Sequence, residues 1–289
     1  MSKVLSELVS LLCLEQLEVN LFRGQSQNLG WGRVFGGQVL GQALSAAAQT
    51  VPTGRMVHSL HGYFLRPGDA DKPIIYDVDR IRDGQSFTTR RVVAIQGGKA
   101  IFSLGASFQT PEDGFEHADA MPEAPEPETL ESETVLAARI AHMIPEPLRT
   151  QVTGDRPIEV RPVQPLNPLR PKVGPPNREL WYRTNGPLPD EPALHQYLLA
   201  YASDFNFIST AMQPHGVSWL TPNMQVASLD HAMWFHRPFR FDSWLLYVLD
   251  SPSASGGRGF VRGRFFDQEG RLVASTAQEG LIRRHTDKA

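Results

Sequence analysis

The sequence predicts an α+β chain in which one unit, a long helix followed by antiparallel strands, is written twice in tandem. Three observations predict it. The string "LHGYFLRPG" (Leu60 to Gly68) returns as "LDHAMWFHRPF" (Leu229 to Phe239), and a spacing of about 170 residues suits a duplicated domain rather than a solenoid. "QGGKAIFSLGASFQ" lies over "QEGRLVASTAQEGL", matching Gly98 with Gly270, Lys99 with Arg271 and Ser103 with Ser275, and Arg90 falls on Arg262. Each half also presents a helix and then four strand-like segments. At 289 residues there is room for two cores of ordinary size.

The elements follow in order. "MSKVLSELVSLLCLE" carries Val4, Leu5, Leu8, Val9, Leu11 and Leu12 at helical spacing, an amphipathic helix rather than a signal peptide, with Cys13 as a filler inside it. "FGGQVLGQALSAAAQTV" (Phe35 to Val51) reads as a helix whose Gly41, Ala43, Ala46 and Ala47 permit close packing on a sheet. Strands are expected at Val57 to Leu65, Ile74 to Ile81, Phe87 to Ile95 and Lys99 to Gln109, with turns at "RPGD", "RDGQ" and "QGGK". Residues 111 to 131, with Pro111, Pro122, Pro125 and Pro127 among many acids, form a linker. A short helix near Ser132 to Met143 precedes a proline-rich stretch, Pro145 to Pro176, that contains the β-like "IEVRPV"; "ELWYRT" follows. In "PALHQYLLAYASDFNFISTAM" the residues Leu194, Tyr197, Leu198, Tyr201, Phe205 and Ile208 recur at three- and four-residue spacing, the mark of a buried helix face. Strands return at Gln225 to Phe235, Trp244 to Asp250, Gly259 to Phe266 and Arg271 to Ile282. The predicted units are 1–112, a linker with its short helix at 113–150, and 151–289.

Composition narrows the function. The net charge of -3, without a basic stripe, argues against nucleic acid as a partner. No apolar run approaches the roughly 18 residues of a membrane span. A single cysteine excludes intramolecular disulfides and paired-cysteine metal sites and fits a reducing compartment, the cytoplasm. The final "HTDKA" differs from the peroxisomal Ser-Lys-Leu address. No third ligand stands at metal spacing around the histidines, and nucleophile-elbow, P-loop and dinucleotide-binding fingerprints are absent.

Where two copies diverge, one has room to acquire chemistry. One face of the last strand reads Ala100, Phe102, Leu104, Ala106, Phe108 in the first copy and Leu272, Ala274, Thr276, Gln278, Gly280 in the second. Gln278 thus replaces Ala106 on a core-like face, where an unpaired amide is costly. Asp204 points along the apolar helix stripe and needs a hydrogen-bond partner there, which suits a general base or water-orienting group. Two bland alternatives stay open: Asp204 ends the first helix and caps a short second one at "DFNF", and Gln278 is a satisfied structural amide. Ser228, Asp230 and His231 open the strand of the repeated string, where His58, Leu60 and His61 stand in the first copy. Because His61 and His231 repeat, both are expected to scaffold. Arg66-Pro67 and Arg237-Pro238 are read as strand-ending turns.

Taken together, "LFRGQS", "VFGGQVLGQAL", "HSLHGYFLRPGD", "KPIIYDVDRIRDGQSFTTRRVVAIQ", "DRPIEVRPV", "LDHAMWFHRPF" and "RGFVRGRFFDQEGRLVASTAQEG" closely resemble acyl-CoA thioesterase II, the bacterial TesB type, from about Leu5 to Arg284. The resemblance implies a double hotdog, two tandem domains each with a long helix wrapped by an antiparallel sheet. It implies hydrolysis of fatty acyl-CoA to free fatty acid and coenzyme A by a water held on an Asp, a Thr and a Gln of the second hotdog. The matching positions are Asp204, Ser228 and Gln278, with Ser in place of the usual Thr. No cofactor is implied, since coenzyme A belongs to the substrate, and association into dimers or tetramers is expected, with the apolar "MWF" triplet (Met233 to Phe235) and the sheet edges as contacts. Three rivals remain: a hotdog enoyl-CoA hydratase, which would pair an Asp with a His on one helix turn; a non-catalytic acyl-CoA-binding module; and a carbonyl-ester hydrolase, disfavoured by the missing nucleophile.

Overall fold

The computed structural model describes the chain apart from residues 31, 145, 147 and 286–289. The first and third residues of the proline-rich stretch and the last four of "HTDKA" therefore lie outside the described residues. Helix α1 (Lys3–Leu12) begins where the Ser2 hydroxyl accepts from Leu5 N–H, and it buries Leu5, Leu8 and Leu12. Cys13 sits past its end, exposed, and is not the helix filler expected. A short edge hairpin follows, β1 (Glu15–Glu18) and β2 (Leu21–Gly24), which four-residue segments leave too little alternation to predict. Helix α2 (Gly36–Ala48) is buried almost all round, as its small residues require. It lies against β3 (Met56–Phe64), β4 (Ile74–Asp83), β5 (Phe87–Gln96) and β6 (Lys99–Gln109), which match the predicted strands within a few residues.

The segment from Pro111 onward has little regular structure, yet it is fastened to the second unit. Trp181 Nε1 donates to Pro125 O at 2.9 Å, and Trp244 Nε1 to Glu128 Oε1 at 3.0 Å. Met121, Ala124 and Leu130 cover a small apolar cluster formed by Trp181, Trp244, Leu246, Val248 and Phe266. Helices α3 (Glu133–Arg139) and α4 (Leu148–Thr153) lead into β7 (Ile158–Pro162) and β8 (Asn177–Thr184). The long helix then breaks in two, α5 (Pro192–Ser203) and α6 (Phe207–Met212), with Asp204 just past the end of α5. Asn206 makes the break at φ 63, an unfavourable region that its own hydrogen bonds hold in place: Arg178 Nη1 donates to its Oδ1, and its Nδ2 donates to Tyr182 Oη and Glu133 Oε1. Strands β9 (Met224–Ser228), β10 (Asp230–Phe235), β11 (Leu245–Ser255), β12 (Arg258–Asp267) and β13 (Leu272–Arg284) complete the chain.

The two strand sets join into one antiparallel sheet, ordered β1-β2-β4-β5-β6-β3-β10-β13-β12-β11-β8-β7, with β9 also on β13. The join is β3 against β10, pairing Leu60 with Met233 and Ser59 with Trp234. Helices α2 and α5 pack on each other inside it. A methyl added at Gly37 would lie 2.1 Å from Tyr201 O, so only glycine allows this approach.

Three register findings correct the sequence reading. The predicted strand Gln225 to Phe235 is interrupted at Leu229: β13 pairs Gly280 with Ser228 but Ala277 with Ala232, which leaves one extra residue on the β9–β10 side. This is a bulge, and the first copy has its own between Val57 and Ser59. Second, His61 and His231 are not equivalent. Leu60 pairs with Ala106, the counterpart of Gln278, so Leu60 is the residue that stands where His231 stands. His61 is exposed, whereas His231 is 1% exposed. Third, Arg90 pairs with Ala106 and Val261 with Gln278, so the counterpart of Arg90 is Val261 and not Arg262. Arg90 is fully buried on Thr50 and Asp83, while Arg262 lies outside. Arg66 and Arg237 do play one role in both copies, each donating Nη1 to the backbone of the neighbouring strand at Ala100 O and Leu272 O.

Candidate active site

The bulge at Leu229 builds the site. Ser228 and His231 are three residues apart and would face opposite sides of a regular strand; one extra residue re-phases the alternation, so both face inward toward Gln278. Asp230 holds the bulge by accepting from Glu279 N–H at 2.6 Å, and Leu229 N–H donates to Glu279 O at 3.0 Å. Across the seam, Phe64 N–H donates to Leu229 O at 2.9 Å, so the first copy's β3 ends against the same turn.

The three residues expected from the sequence come together. Ser228 Oγ donates to Asp204 Oδ1 at 3.2 Å, and Gln278 Nε2 donates to Ser228 Oγ at 2.9 Å. Gln278 is buried, and Asp204 and Ser228 are half-buried. Asp204 does end α5, as the capping alternative held, but its carboxylate turns to Ser228 and the N-cap of α6 is Asn206. His231, expected from the sequence only to make a scaffolding hydrogen bond, makes its bonds to this group. His231 Nδ1 lies 2.6 Å from Gln278 Oε1, and its Nε2 lies 2.9 Å from Ser203 Oγ. Burial, partly offset by Asp204, the Gln278 hydrogen bond and Asp230, pushes His231 below the ordinary histidine value of 6.5. The signal that finds it is the count to the Arg-Pro pair, five residues from His61 but six from His231.

The first copy supplies the opposite wall. Helix α2 starts beside Asp204: a methyl at Gly36 would lie 2.6 Å from Asp204 Oδ2 and 3.0 Å from the Phe64 ring. No side chain caps this helix, so its first N–H groups and the positive end of its dipole face the carboxylate's surroundings. Phe35 at its N-cap stacks on Phe205 at 4.2 Å, and Phe64 packs against Phe102, which adds apolar surface from both copies. The arrangement can hold a water between a carboxylate and an amide while backbone N–H groups meet a developing negative charge. Helix α6 carries no histidine that could pair with Asp204 in the manner of a hydratase.

A cleft of about 860 Å³ opens elsewhere, at the start of α5 beside Val57 and His58, and the three site residues do not line it. Its Arg237, Arg240 and Arg271 all carry acidic partners, Glu116, Asp190 or Asp242, and Asp267, so it does not read as a phosphate cradle. Among the described residues no cluster of His, Cys, Asp and Glu could hold a metal ion, and no helix is long and apolar enough to cross a membrane.

Residues 147–281 match the family model described as acyl-CoA thioesterase, and residues 26–109 match the acyl-CoA thioesterase N-terminal domain. The chain is 47% identical to acyl-CoA thioesterase 2 of Haemophilus influenzae over 98% of its own length and 99% of that protein. Among solved structures it resembles an acyl-CoA thioesterase II, TesB2, from Mycobacterium marinum, with TM-score 0.77 and 45% identity over 96% of this chain and 99% of that one. A hot dog fold protein from Alicyclobacillus acidocaldarius shares the architecture at TM-score 0.77 and 20% identity, covering 97% of this chain and 99% of that one.

Proposed function

The chain belongs to the acyl-CoA thioesterase family and is an acyl-CoA thioester hydrolase with a double hotdog fold; within that activity we propose that Asp204, Ser228 and Gln278 hold the attacking water. The observation that carries this reading is the continuous hydrogen-bond chain from Asp204 through Ser228 to Gln278, set beside the uncapped start of α2. Asp204 takes the water's proton as it attacks the thioester carbonyl. The second Gln278 N–H donates to the water oxygen, and Ser228 Oγ, whose own proton goes to Asp204, accepts the water's other proton. Backbone N–H groups of Gly36 and Gly37 stabilise the oxyanion, a role worth about 10²–10³ in rate per donor. Collapse of the tetrahedral intermediate releases coenzyme A as the thiol and the fatty acid, with no covalent acyl-enzyme. No cofactor takes part; coenzyme A arrives as part of the substrate.

The test is thiol release from a series of acyl-CoAs, short to long, by wild type and by Asp204→Asn. Wild type is expected to release thiol, and Asp204→Asn to do so about a hundredfold more slowly or worse, the scale of losing a general base. An Asp204→Asn protein of full activity defeats the reading.

Two further expectations belong here. The enzyme is read as cytoplasmic, with its exposed Cys13 kept reduced. It is also read as a dimer or tetramer. Of the "MWF" triplet, Met233 and Phe235 are buried and only Trp234 remains on the outer face, beside exposed His61. Sedimentation velocity checks this association, and Trp234→Glu is expected to weaken it.

A further inference from the structure

The hydrogen-bond chain has a direction, and Asp204 sets it. A carboxylate only accepts, so the single Ser228 proton goes to Asp204 Oδ1. Ser228 Oγ must then accept from Gln278 Nε2, and this turns Gln278 Oε1, an acceptor, toward His231 Nδ1 at 2.6 Å. Nδ1 therefore carries a proton. We propose that His231 is a positioning residue for the hydrolysis: donating from Nδ1 to Gln278 Oε1, it locks the amide with Nε2 toward Ser228 and the attacking water.

The inference rests on the reading of Asp204, Ser228 and Gln278 above. An amide has two faces of nearly equal shape, and turning it over would set Oε1 against Ser228 Oγ and remove the donor the water needs. Gln278 and His231 are each 1% exposed and Ser203 is 0%, so solvent cannot choose the orientation. Ser203 Oγ has one proton and two acceptors within 2.9 Å, Ala200 O and His231 Nε2; with Nδ1 protonated and the ring neutral, Nε2 is the acceptor that takes it. Burial keeps the ring neutral, which leaves Nε2 free to accept. The fold itself does not ask for this pair. At the same places, beside the same kind of bulge, the first copy carries Leu60 and Ala106.

The experiment compares His231→Leu, His231→Asn, Gln278→Ala and the double variant His231→Leu/Gln278→Ala by kcat and KM for thiol release, with thermal unfolding alongside. His231→Leu is expected to lower kcat by about 10- to 100-fold, the scale of a misplaced reacting group, with KM little changed. His231→Asn puts an amide N–H near the place of Nδ1 and is expected to recover most of that loss. On top of Gln278→Ala, His231→Leu should cost nothing further, because both remove one function. Wild-type kcat in His231→Leu, an undiminished loss in the double variant, or no recovery in His231→Asn each overturns the proposal. Should His231→Leu fail to fold, the ring ¹⁵N resonances of the wild-type enzyme decide: a protonated Nδ1 supports the proposal and a bare Nδ1 overturns it. If Gln278→Ala keeps full activity, it is the reading of the water site that fails; if Gln278→Ala is inactive and His231→Leu is not, only the role of His231 falls.

Discussion

The two copies share a bulge and a cross-strand row but fill them in opposite ways. In the first, Val57, Leu60 and Ala106 are apolar and the buried polar residue is Arg90, tied to Thr50 and Asp83. In the second, Ser228, His231 and Gln278 are polar and Val261 replaces Arg90. The helix starts differ as well. Helix α2 opens with Gly36 beside Asp204, whereas α5 opens with Pro192, which has no N–H, beside Val57. A duplicated scaffold therefore presents two candidate seams, and only one couples a polar row to free helix N–H groups.

Writing the first copy's row into the second is the hardest blow to that comparison. Ser228→Val with His231→Leu and Gln278→Ala is expected to cut thiol release by at least about a hundredfold. Unfolding should stay cooperative, since the same residue types already satisfy the first copy. A triple variant that kept its activity would show that the polar row is ornament.

A smaller effect is expected across the seam. Gly36→Ala would bring a methyl to 2.6 Å from Asp204 Oδ2, and the carboxylate must move to admit it. We expect kcat to fall by about tenfold or more while the melting temperature shifts only slightly, because the clash is with a side chain. Gly37→Ala meets the Tyr201 backbone instead and is expected to destabilise the protein by about 1–3 kcal/mol in denaturant titration.

Much of this was legible in the sequence, and the limits have physical causes. The duplication, both helices, the main strands, and the placing of Asp204 and Gln278 all follow from periodicity and from comparing the copies. The role of His231 did not. A one-residue bulge leaves no mark in an alternation of apolar residues, and matching histidine to histidine hides it. Arg90 was set against Arg262 for the same reason, although pairing puts Val261 there. The break after Asp204 depends on Asn206 at φ 63, whose partners Arg178, Tyr182 and Glu133 are distant in sequence. The hold of the acidic linker on Trp181 and Trp244 is invisible in composition, which reports only proline and charge.

Acid should strain the second copy more than the first. His58 in the first copy and His195, His231 and His236 in the second are held below the ordinary value of 6.5, in each case chiefly by burial. Below about pH 6.5 the unfolded chain takes up protons on these rings and the folded chain does not, so the unfolded state binds more and stability falls with pH. The carboxylates of Asp83 and Asp242, held below 3.8, add their loss only at lower pH. Urea titrations between about pH 7.5 and 5 should show falling stability, and His231→Leu should flatten the slope.

The smallest expected effect sharpens the comparison at one atom. Ser228 stands opposite Gly280, inside the bulge, with Ile208 packed over that glycine. Serine supplies the donor for Asp204 and the acceptor for Gln278, and those two bonds hold its χ1. Threonine, the residue the sequence resemblance leads one to expect here, adds a methyl that narrows the rotamers. Ser228→Thr is expected to leave KM unchanged and to raise kcat by no more than about 1.4 kcal/mol of barrier, a factor of ten. The same change at the corresponding place in the first copy, Val57→Thr, should leave kcat alone, because the amide that reaches this residue, Gln196, already donates to the Val57 backbone O, and the cleft there is not lined by Asp204, Ser228 or Gln278. If Val57→Thr alters kcat as much as Ser228→Thr does, the two seams are coupled and the asymmetry between the copies is not where the chemistry lies.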